Sequence, residues 1–290
     1  MARADAVRAI NPALFDRGWS KVSGSASGGL GKRAQMIRAA RGHSPAIFKA
    51  SRQGGCHTGA QLRAQLSYLT TKSSFILDSR GTHDGKKLLS PGEIERVARR
   101  FENQWNERHA PKLGHTAHLL MAFPIGTRSS EAQEITREIC ERFFEGEGAQ
   151  FDYIAAIHED RAHPHAHIVL NRRSKDGEMF FLRQDHHFNY DAFRVAMVEA
   201  AERHGLRLEA TRRLDRGVLT RAASDVDIRK AMEEGRVPVE RQRTGADLDH
   251  AIAEVARNAA IYRGLAAEAS RSNFHDVAEA LSRAGDVLAR

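Results

Sequence analysis

Two short apolar runs flank a polar, histidine-rich segment near the middle of the chain. Residues 154–157 form the first run and residues 168–170 the second, with Pro164 in the break between them. Apolar runs of this length, separated by a proline-containing break, are typical of two strands joined by a turn. The pattern predicts a β-hairpin over residues 153–173.

Helical periodicity dominates much of the remaining chain. Leucines recur at helical spacing after Thr58, and Ser90 followed by proline and glutamate resembles a capping box. Adjacent strands around a hairpin imply an antiparallel sheet, so we predict an α+β fold with flanking helices and a helical C-terminal appendage. In chain order the pattern predicts a strand at 46–50, helices at 60–71 and from 91, a strand at 115–123, a helix from 130, the hairpin, and a helix at 190–204.

Changes in composition divide the chain into three predicted parts. Residues 1–45 hold eight Lys and Arg against two Asp, with several Gly and Ser, and we predict a basic flexible arm with a short helix at 34–40. Residues 46–217 form the predicted functional domain. Residues 218–290 form a helical appendage, with helices predicted at 226–235, 247–269 and 275–289.

Overall composition narrows the class of protein. The chain has 290 residues, is 41% hydrophobic and carries a formal charge of +8, which favours a polyanionic partner such as nucleic acid. Its two cysteines argue against a disulfide scaffold. No apolar run approaches the roughly 20 residues that a membrane-spanning helix needs, and the start lacks a signal-peptide pattern. We therefore expect a protein of the reducing cytoplasm.

The spacing of the hairpin histidines predicts a metal site. His165 and His167 are two residues apart, so on a strand they point to one face at a separation of about 7 Å. His163 shares their parity but lies too far along the strand, whereas His158 on the neighbouring strand is placed to be the third ligand. Asp160 is the predicted supporting carboxylate, which would either accept a ring N–H or tune a nearby proton.

Other interpretations of these histidines are a structural zinc site or a polar surface turn. Closed structural sites normally use four ligands and favour cysteine, but Cys56 and Cys140 are remote in sequence. Three nitrogen ligands with an open position are more typical of a catalytic metal. All-nitrogen ligation suits Zn, Ni or Mn, whereas Mg prefers oxygen.

Tyr68 lies off the stripe formed by Leu62, Leu66 and Leu69 on the predicted helix. With 3.6 residues per turn it is rotated roughly 100 to 120° from that stripe. Such a tyrosine is free to point into a cleft, but on this helix alone the favoured interpretation is a tyrosine at the edge of the core.

Four cations are candidates for contacts to DNA phosphates, although each also fits a solvated surface charge. His186 and His187 either line the site or lie on the surface. The four cations are Lys72, Arg172, Arg173 and Arg183.

Three segments together resemble the motifs of conjugative relaxases, which belong to the HUH class of single-strand DNA endonucleases. Residues 158–173 resemble the third motif, residues 61–69 the first and residues 116–126 the second. The resemblance covers about residues 45–217 and is greatest to the MOBP type, which includes the T-DNA border endonuclease. One departure is Ala122, where relatives often carry serine. A contact to the scissile phosphate is then either missing or supplied by Thr116 or Thr127.

The resemblance implies a site and an activity. Tyr68 would be the nucleophile, His158, His165 and His167 the metal ligands, and Asp160 a supporting catalytic carboxylate. The enzyme would nick one DNA strand, retain a 5′-phosphotyrosyl adduct and rejoin it later. The implied cofactor is a divalent metal, Mg or Mn in the active enzyme, with Zn or Ni as further candidates.

The resemblance also implies partners and a location. The substrate would be single-stranded DNA at a transfer origin or border, as in plasmid mobilization. Auxiliary relaxosome proteins and a coupling protein of type IV secretion would be partners. The protein would act in the bacterial cytoplasm without membrane insertion and travel with the DNA into a recipient cell.

Three alternatives use some of the same residues. A rolling-circle initiator or an HUH transposase would use the same groups, but those families usually place the tyrosine after the histidines, whereas Tyr68 precedes them. A metal hydrolase would use water in place of tyrosine. A non-catalytic metal- and DNA-binding protein would need no nucleophile.

Overall fold

The computed structural model describes residues 31–51, 54–106, 111–146, 149–160 and 163–289. These residues form two compact units, one of residues 44–208 and the other of residues 31–43 together with 209–289. The predicted arm of residues 1–45 lies mostly outside the described residues. Its last part, from Lys32, is helical and belongs to the unit that contains the C-terminal helices.

Helices and strands alternate irregularly along the described chain. The helices are α1 (Lys32–Ala40), α2 (Gly59–Thr71), α3 (Pro91–Glu102), α4 (Ser129–Phe144), α5 (Tyr190–Arg203), α6 (Asp225–Glu233), α7 (Gly245–Arg271) and α8 (His275–Leu288). The strands are β1 (Ser44–Pro45), β2 (Ile47–Ala50), β3 (Ser73–Asp78), β4 (Thr116–Ala122), β5 (Tyr153–His158), β6 (His165–Asn171) and β7 (Leu208–Glu209).

Five strands form one sheet in the order β2-β4-β6-β5-β3, so β6 is the middle strand. Every neighbouring pair is antiparallel. The predicted hairpin is confirmed as β5 and β6, and the α+β class with an antiparallel sheet and a helical C-terminal region is confirmed with it. A separate two-stranded sheet pairs β1 with β7.

Strand β3 was not predicted. It begins one residue after α2 ends, with two serines before its apolar run, and it forms the edge of the sheet beside β5. Polar residues at the start of a short strand weaken the alternation by which strands are recognised. Strand β3 is important for the site. Because it follows α2 directly and pairs with β5, the C-terminal end of α2 lies close to the end of β5.

Helices α2 and α3 pack on one face of the sheet. Thr58 and Gln61 form a capping box at the start of α2, which satisfies backbone N–H groups that the first helical turn leaves unpaired. The predicted stripe of Leu62, Leu66 and Leu69 is at most 2% exposed. It packs in one apolar cluster with residues of α3, β3, β5 and β6.

Aromatic side chains fill the opposite face, beneath α4 and α5. Phe48 of β2 stacks on Phe193 of α5 with ring centroids 4.2 Å apart, and Phe143 of α4 stacks on Phe193 at 4.0 Å. Phe144 contacts Tyr153 of β5 at 5.8 Å. With helices on both faces the sheet is held as a rigid platform.

The second unit packs α1 against α7 and α8. Met36 and Ile37 of α1 join Tyr262 of α7 in a buried apolar cluster. The three predicted C-terminal helices are confirmed. Within the part of the chain that the structure describes, no helix is both long enough and apolar enough to cross a bilayer.

We expect replacement of Leu66 by alanine to destabilise the protein by about 2–5 kcal/mol, because a fully buried leucine leaves a cavity when truncated. Urea denaturation measures this free energy of unfolding. Tyr68→Phe on the same helix is the matched control. Its side chain is 67% exposed, so a change within about 0.5 kcal/mol is expected. Equal urea midpoints for Leu66→Ala and the wild type would contradict this packing.

Candidate active site

The strand register brings three predicted histidines together. His158 at the end of β5 lies directly opposite His165 at the start of β6, and His167 follows on the same face of β6. One potential ligand atom of each lies within 4.8 Å of those of the other two. The ring centroids are 4.8 to 5.2 Å apart. We call these three residues the histidine triad.

Backbone carbonyls orient two rings of the triad. His158 Nε2 donates to the carbonyl of Leu69 at 2.8 Å, and His165 Nδ1 donates to the carbonyl of His163 at 3.1 Å. A nitrogen that donates to a carbonyl carries a proton and cannot also be a ligand. A metal would therefore bind Nδ1 of His158 and Nε2 of His165.

The third ring is oriented by another histidine, His118 of β4. Nε2 of His118 lies 2.8 Å from Nδ1 of His167, so Nε2 of His167 would be its ligand atom. Gly54 lies against the other side of His118, since a Cβ added to Gly54 would come within 2.6 Å of the His118 Cβ. Only glycine lets this loop approach His118 so closely.

His118 was not predicted as a site residue. Strand parity could have found it, because His118 and Ala122 lie on one face of β4, and Ala122 pairs directly with His165. Finding it required knowing that β4 pairs with β6, which the sequence pattern does not specify. His118 supports the triad through His167.

The histidine triad fits a divalent metal by its donor set. Three imidazoles converge on one point from two strands, and burial lowers the pKa of His158, which favours the neutral form that a ligand needs. Three nitrogen ligands leave room for water or substrate at a fourth position. The arrangement can therefore hold an ion that polarises a bound phosphate.

The predicted supporting carboxylate, Asp160, lies beside the triad. Its carboxylate is 3.9 Å from Nε2 of His165, which is longer than a hydrogen bond and on the side of the ring that faces a metal. The carboxylate also lies 3.7 Å from Nζ of Lys72. Asp160 thus lies on the side of the histidine triad where a metal and substrate would bind. The ring N–H groups of His158 and His165 donate instead to the backbone carbonyls of Leu69 and His163.

Tyr68 lies in the last turns of α2, next to the residue that contacts the triad. Leu69 is buried and its carbonyl accepts the hydrogen bond from His158, while the Tyr68 side chain is 67% exposed. The predicted rotation of Tyr68 away from the leucine stripe is confirmed by this difference in exposure. The phenol is therefore accessible on a helix whose end is tied to the histidine triad.

The four cations that were predicted to bind phosphate lie at different distances from the histidine triad. Lys72 ends α2 and, through Asp160, lies beside the triad. Arg172 and Arg173 follow β6 at its far end, about 20 Å from His165 for an extended strand. Arg183 is exposed and pairs with Asp185 at 2.6 Å.

Arg172 is held by main-chain carbonyls. Its guanidinium donates to the backbone carbonyls of Thr116 and Phe180, and burial lowers its pKa. These contacts give it a structural role at the far end of the sheet, and its contact with a DNA phosphate stays a prediction. The sequence could not reveal this role, because its partners are main-chain atoms of distant segments.

Two threonines, Thr116 and Thr127, are candidates to replace the serine that relatives often carry at the position of Ala122. Thr116 is at the opposite end of β4 and its buried hydroxyl accepts a hydrogen bond from the Cys56 amide at 2.8 Å, which leaves it remote from His165. Thr127 is buried, and its hydroxyl makes no hydrogen bond to the described residues. Of these two threonines, Thr127 remains the candidate.

The structure thus has three histidines on adjacent inner strands of an antiparallel sheet and an exposed tyrosine on the adjoining helix, which is the arrangement that the resemblance to HUH endonucleases implies. Residues 76–206 match the family model described as "Relaxase: MobA/VirD2-like, nuclease domain". Residues 76–206, less than half of the chain, are therefore similar to the nuclease domain of MobA/VirD2-like relaxases, as the motifs predicted. The match includes the histidine triad and His118 and begins after Tyr68.

The chain is also similar to curated T-DNA border endonucleases named VirD2. It is 35% identical to the protein of Agrobacterium fabrum over 193 residues, covering 62% of this chain and 42% of that protein. The Rhizobium rhizogenes protein is 34% identical over 195 residues (63% and 44%), and the Rhizobium radiobacter protein 33% over 189 residues (61% and 44%). The chain thus spans less than half the length of these relatives.

We expect replacement of His118 by leucine to weaken metal binding at the triad about 10-fold or more, because His167 loses the partner that fixes its ring. Titration with Mn²⁺ measures the affinity, and the signal of a His165→Ala variant is subtracted as background. His118→Gln, whose amide oxygen can accept the His167 N–H, should restore part of the affinity. His57→Ala, at an exposed histidine, is the control. Unchanged affinity in His118→Leu would show that His118 does not position the ligand.

Proposed function

We propose that this protein is a relaxase that nicks one DNA strand at a specific site and later rejoins it. Tyr68 attacks a phosphodiester and remains attached to the 5′ end of the cut strand. The observation that carries this proposal is the hydrogen bond from His158 to the Leu69 carbonyl, because it fixes the helix of Tyr68 to the histidine triad. The match to a relaxase nuclease domain supports the same conclusion.

The proposed chemistry conserves one phosphodiester bond throughout. The Tyr68 oxygen bonds to phosphorus while the bond from phosphorus to the 3′ oxygen breaks. The proton lost by the phenol is balanced by one gained at the 3′ oxygen. Attack by that 3′-OH on the phosphotyrosine reverses the step, so rejoining needs no ATP.

Two groups beside the triad would assist this transfer. The phenol must lose its proton as it attacks phosphorus, so the step needs a proton acceptor, and Asp160 beside His165 is the proposed one. Lys72 would pair with a phosphate oxygen of the substrate in exchange for its contact with Asp160. A divalent ion held by the triad would supply positive charge to the phosphate oxygens during the transfer.

The identity of the ion is a separate part of the proposal. The triad offers three nitrogen donors, a set that Zn and Ni accept readily and that Mn also accepts. We propose Mg or Mn in the active enzyme, because transfer of a phosphoryl group needs an ion that exchanges ligands with phosphate oxygens. Zn or Ni remain alternative occupants.

We propose single-stranded DNA at a transfer origin or border as the substrate, as the name of the similar T-DNA border endonucleases indicates. The formal charge of +8 suits such a polyanion. Auxiliary relaxosome proteins and a secretion coupling protein would be partners in conjugative transfer. The enzyme would act in the bacterial cytoplasm and enter the recipient with the DNA.

Other functions predict different products. A rolling-circle initiator or transposase would form a similar adduct, but Tyr68 precedes the histidines here, an order that favours a relaxase. A metal hydrolase would cut without forming an adduct. A binding protein without catalytic activity would do neither.

We expect Tyr68→Phe to abolish the covalent DNA adduct, because phenylalanine has no oxygen to attack phosphorus. Labelled single-stranded DNA spanning the transfer origin is incubated with protein and Mn²⁺ and analysed on a denaturing gel. The wild-type adduct should disappear with EDTA. Tyr190→Phe is the matched control, since Tyr190 is also exposed, at 40%, on another helix.

The outcome separates the alternatives. An adduct that persists in Tyr68→Phe but is lost in Tyr190→Phe would reassign the nucleophile. Cutting without an adduct in the wild type would indicate a hydrolase. DNA binding with neither product, under conditions in which the triad is loaded, would indicate a binding protein.

We expect Lys72→Ala to weaken DNA binding and to lower the slope of log affinity against log salt by about 1, the change for one lost phosphate contact. The Lys72 side chain is 54% exposed, so it can reach a phosphate without unfolding the helix end. Fluorescence anisotropy at several salt concentrations measures both quantities. Lys112→Ala, at an exposed lysine, should leave the slope unchanged. An unaltered slope in Lys72→Ala would exclude this phosphate contact.

A further inference from the structure

A second group of described side chains could bind a metal, on segments that follow β6. One potential ligand atom from each of Glu178, His186 and His187 lies within 4.8 Å of the others. We propose that these three residues, called here the Glu178 cluster, bind one divalent transition-metal ion independently of the histidine triad. The relaxase chemistry proposed above does not require this ion.

The two sites are well separated along the chain. Glu178 pairs through its backbone with Ser174, whose N–H donates to the Glu178 carbonyl at 2.8 Å. Ser174 is seven residues beyond His167, so an extended chain puts it about 20 Å from the triad. One ion cannot bind to both sets of ligands.

Backbone hydrogen bonds hold the ligand-bearing segments in place. The Glu178 N–H donates to Oγ of Ser174 at 2.9 Å, which closes a tight turn. The His186 N–H donates to the carbonyl of Arg183 at 3.1 Å, and the His186 carbonyl accepts from Asn189 Nδ2 at 2.7 Å. Ligands on a backbone that is already ordered lose less conformational entropy when they bind an ion.

Contacts between rings also restrict the two imidazoles. The His186 ring contacts Phe181 at a centroid distance of 4.4 Å and His187 at 4.1 Å. The His187 ring in turn contacts Phe188 at 3.9 Å. Side chains of consecutive residues often point in different directions, but these contacts hold the His186 and His187 rings next to each other.

The charge and donor types favour a borderline metal. Among the residues that the structure describes, the Glu178 carboxylate has no hydrogen bond or ion pair, and it is exposed, so its binding to a cation costs little desolvation. Two imidazoles and one carboxylate suit Zn, Ni or Cu, whereas Mg and Ca prefer oxygen-only sites. The proposed ion is therefore Zn²⁺, Ni²⁺ or Cu²⁺ and not Mg²⁺ or Ca²⁺.

One existing hydrogen bond competes with the metal. The Phe188 N–H donates to Nδ1 of His186 at 3.2 Å, so the metal-free ring carries its proton on Nε2. Binding requires His186 to exchange this long hydrogen bond for the metal bond, either at Nδ1 or after rotation of the ring. This exchange lowers the affinity but does not block the site, because the bond is at the upper end of the usual distance range.

Occupancy would join two segments of the nuclease unit. Glu178 lies on the turn that follows β6, and His186 and His187 immediately precede Asn189, the N-cap of α5. A metal bound to all three residues would tie that turn to the start of α5. Binding only to the folded form would raise the thermal stability with metal concentration.

The test uses the full chain with the triad disabled by His165→Ala and His167→Ala. Titration calorimetry with Zn²⁺ should still detect one ion per chain. Addition of Glu178→Gln and His187→Ala to this background should abolish that binding, and the Zn²⁺-dependent rise in melting temperature should disappear with it. His250→Ala in the same background, at an exposed histidine of α7, should retain one ion.

A second measurement does not require the His165→Ala, His167→Ala variant to fold. In the wild-type background, Glu178→Gln with His187→Ala should reduce the Zn²⁺ stoichiometry from two to one. The proposal is overturned if the triad-disabled protein is folded by circular dichroism but binds no ion. It is equally overturned if the wild type and the Glu178→Gln, His187→Ala variant bind the same number. A failed nicking assay would leave these binding results unaffected.

Discussion

The hydrogen bond from His158 to the Leu69 carbonyl joins the two parts of the candidate active site. It is possible because β3 begins one residue after α2 and pairs with β5, with Ser73 opposite His158. The end of the helix is therefore held against the end of the strand by a short connection. Because Tyr68 precedes Leu69 on the same helix, its backbone is held close to the histidine triad, while its side chain is exposed to solvent.

The sheet separates structural and chemical functions by strand parity. On β5 and β6, the residues of one parity pack beneath the aromatic side chains of α4 and α5, and those of the other parity point toward α2 and α3. At one end of that second face the apolar residues give way to the histidine triad. Each triad ring then receives a hydrogen-bond partner from a different segment, two carbonyls and His118, so the ring orientations depend on the whole unit.

Much of this architecture was predictable from the sequence, because the relevant signals are local. Two short apolar runs and the proline-containing break between them predicted the hairpin, and i, i+2 spacing predicted that His165 and His167 share a face. Non-local pairing was not predictable. The role of His118 follows from the pairing of β4 with β6, β3 has too little alternation to be recognised, and Arg172 binds main-chain carbonyls that no pattern records. Catalytic roles stay predictions, since they concern substrate and metal.

The central position of β6 has a consequence for how the site tolerates fluctuation. Strands at a sheet margin open most readily, whereas an inner strand bonded on both sides is released only when larger parts of the domain open. His165 and His167 lie on the innermost strand, flanked by β4 and β5. Transient fraying of β2 or β3 would thus leave the paired imidazoles of β6 in register, and thermal loss of that geometry would coincide with cooperative melting of the domain.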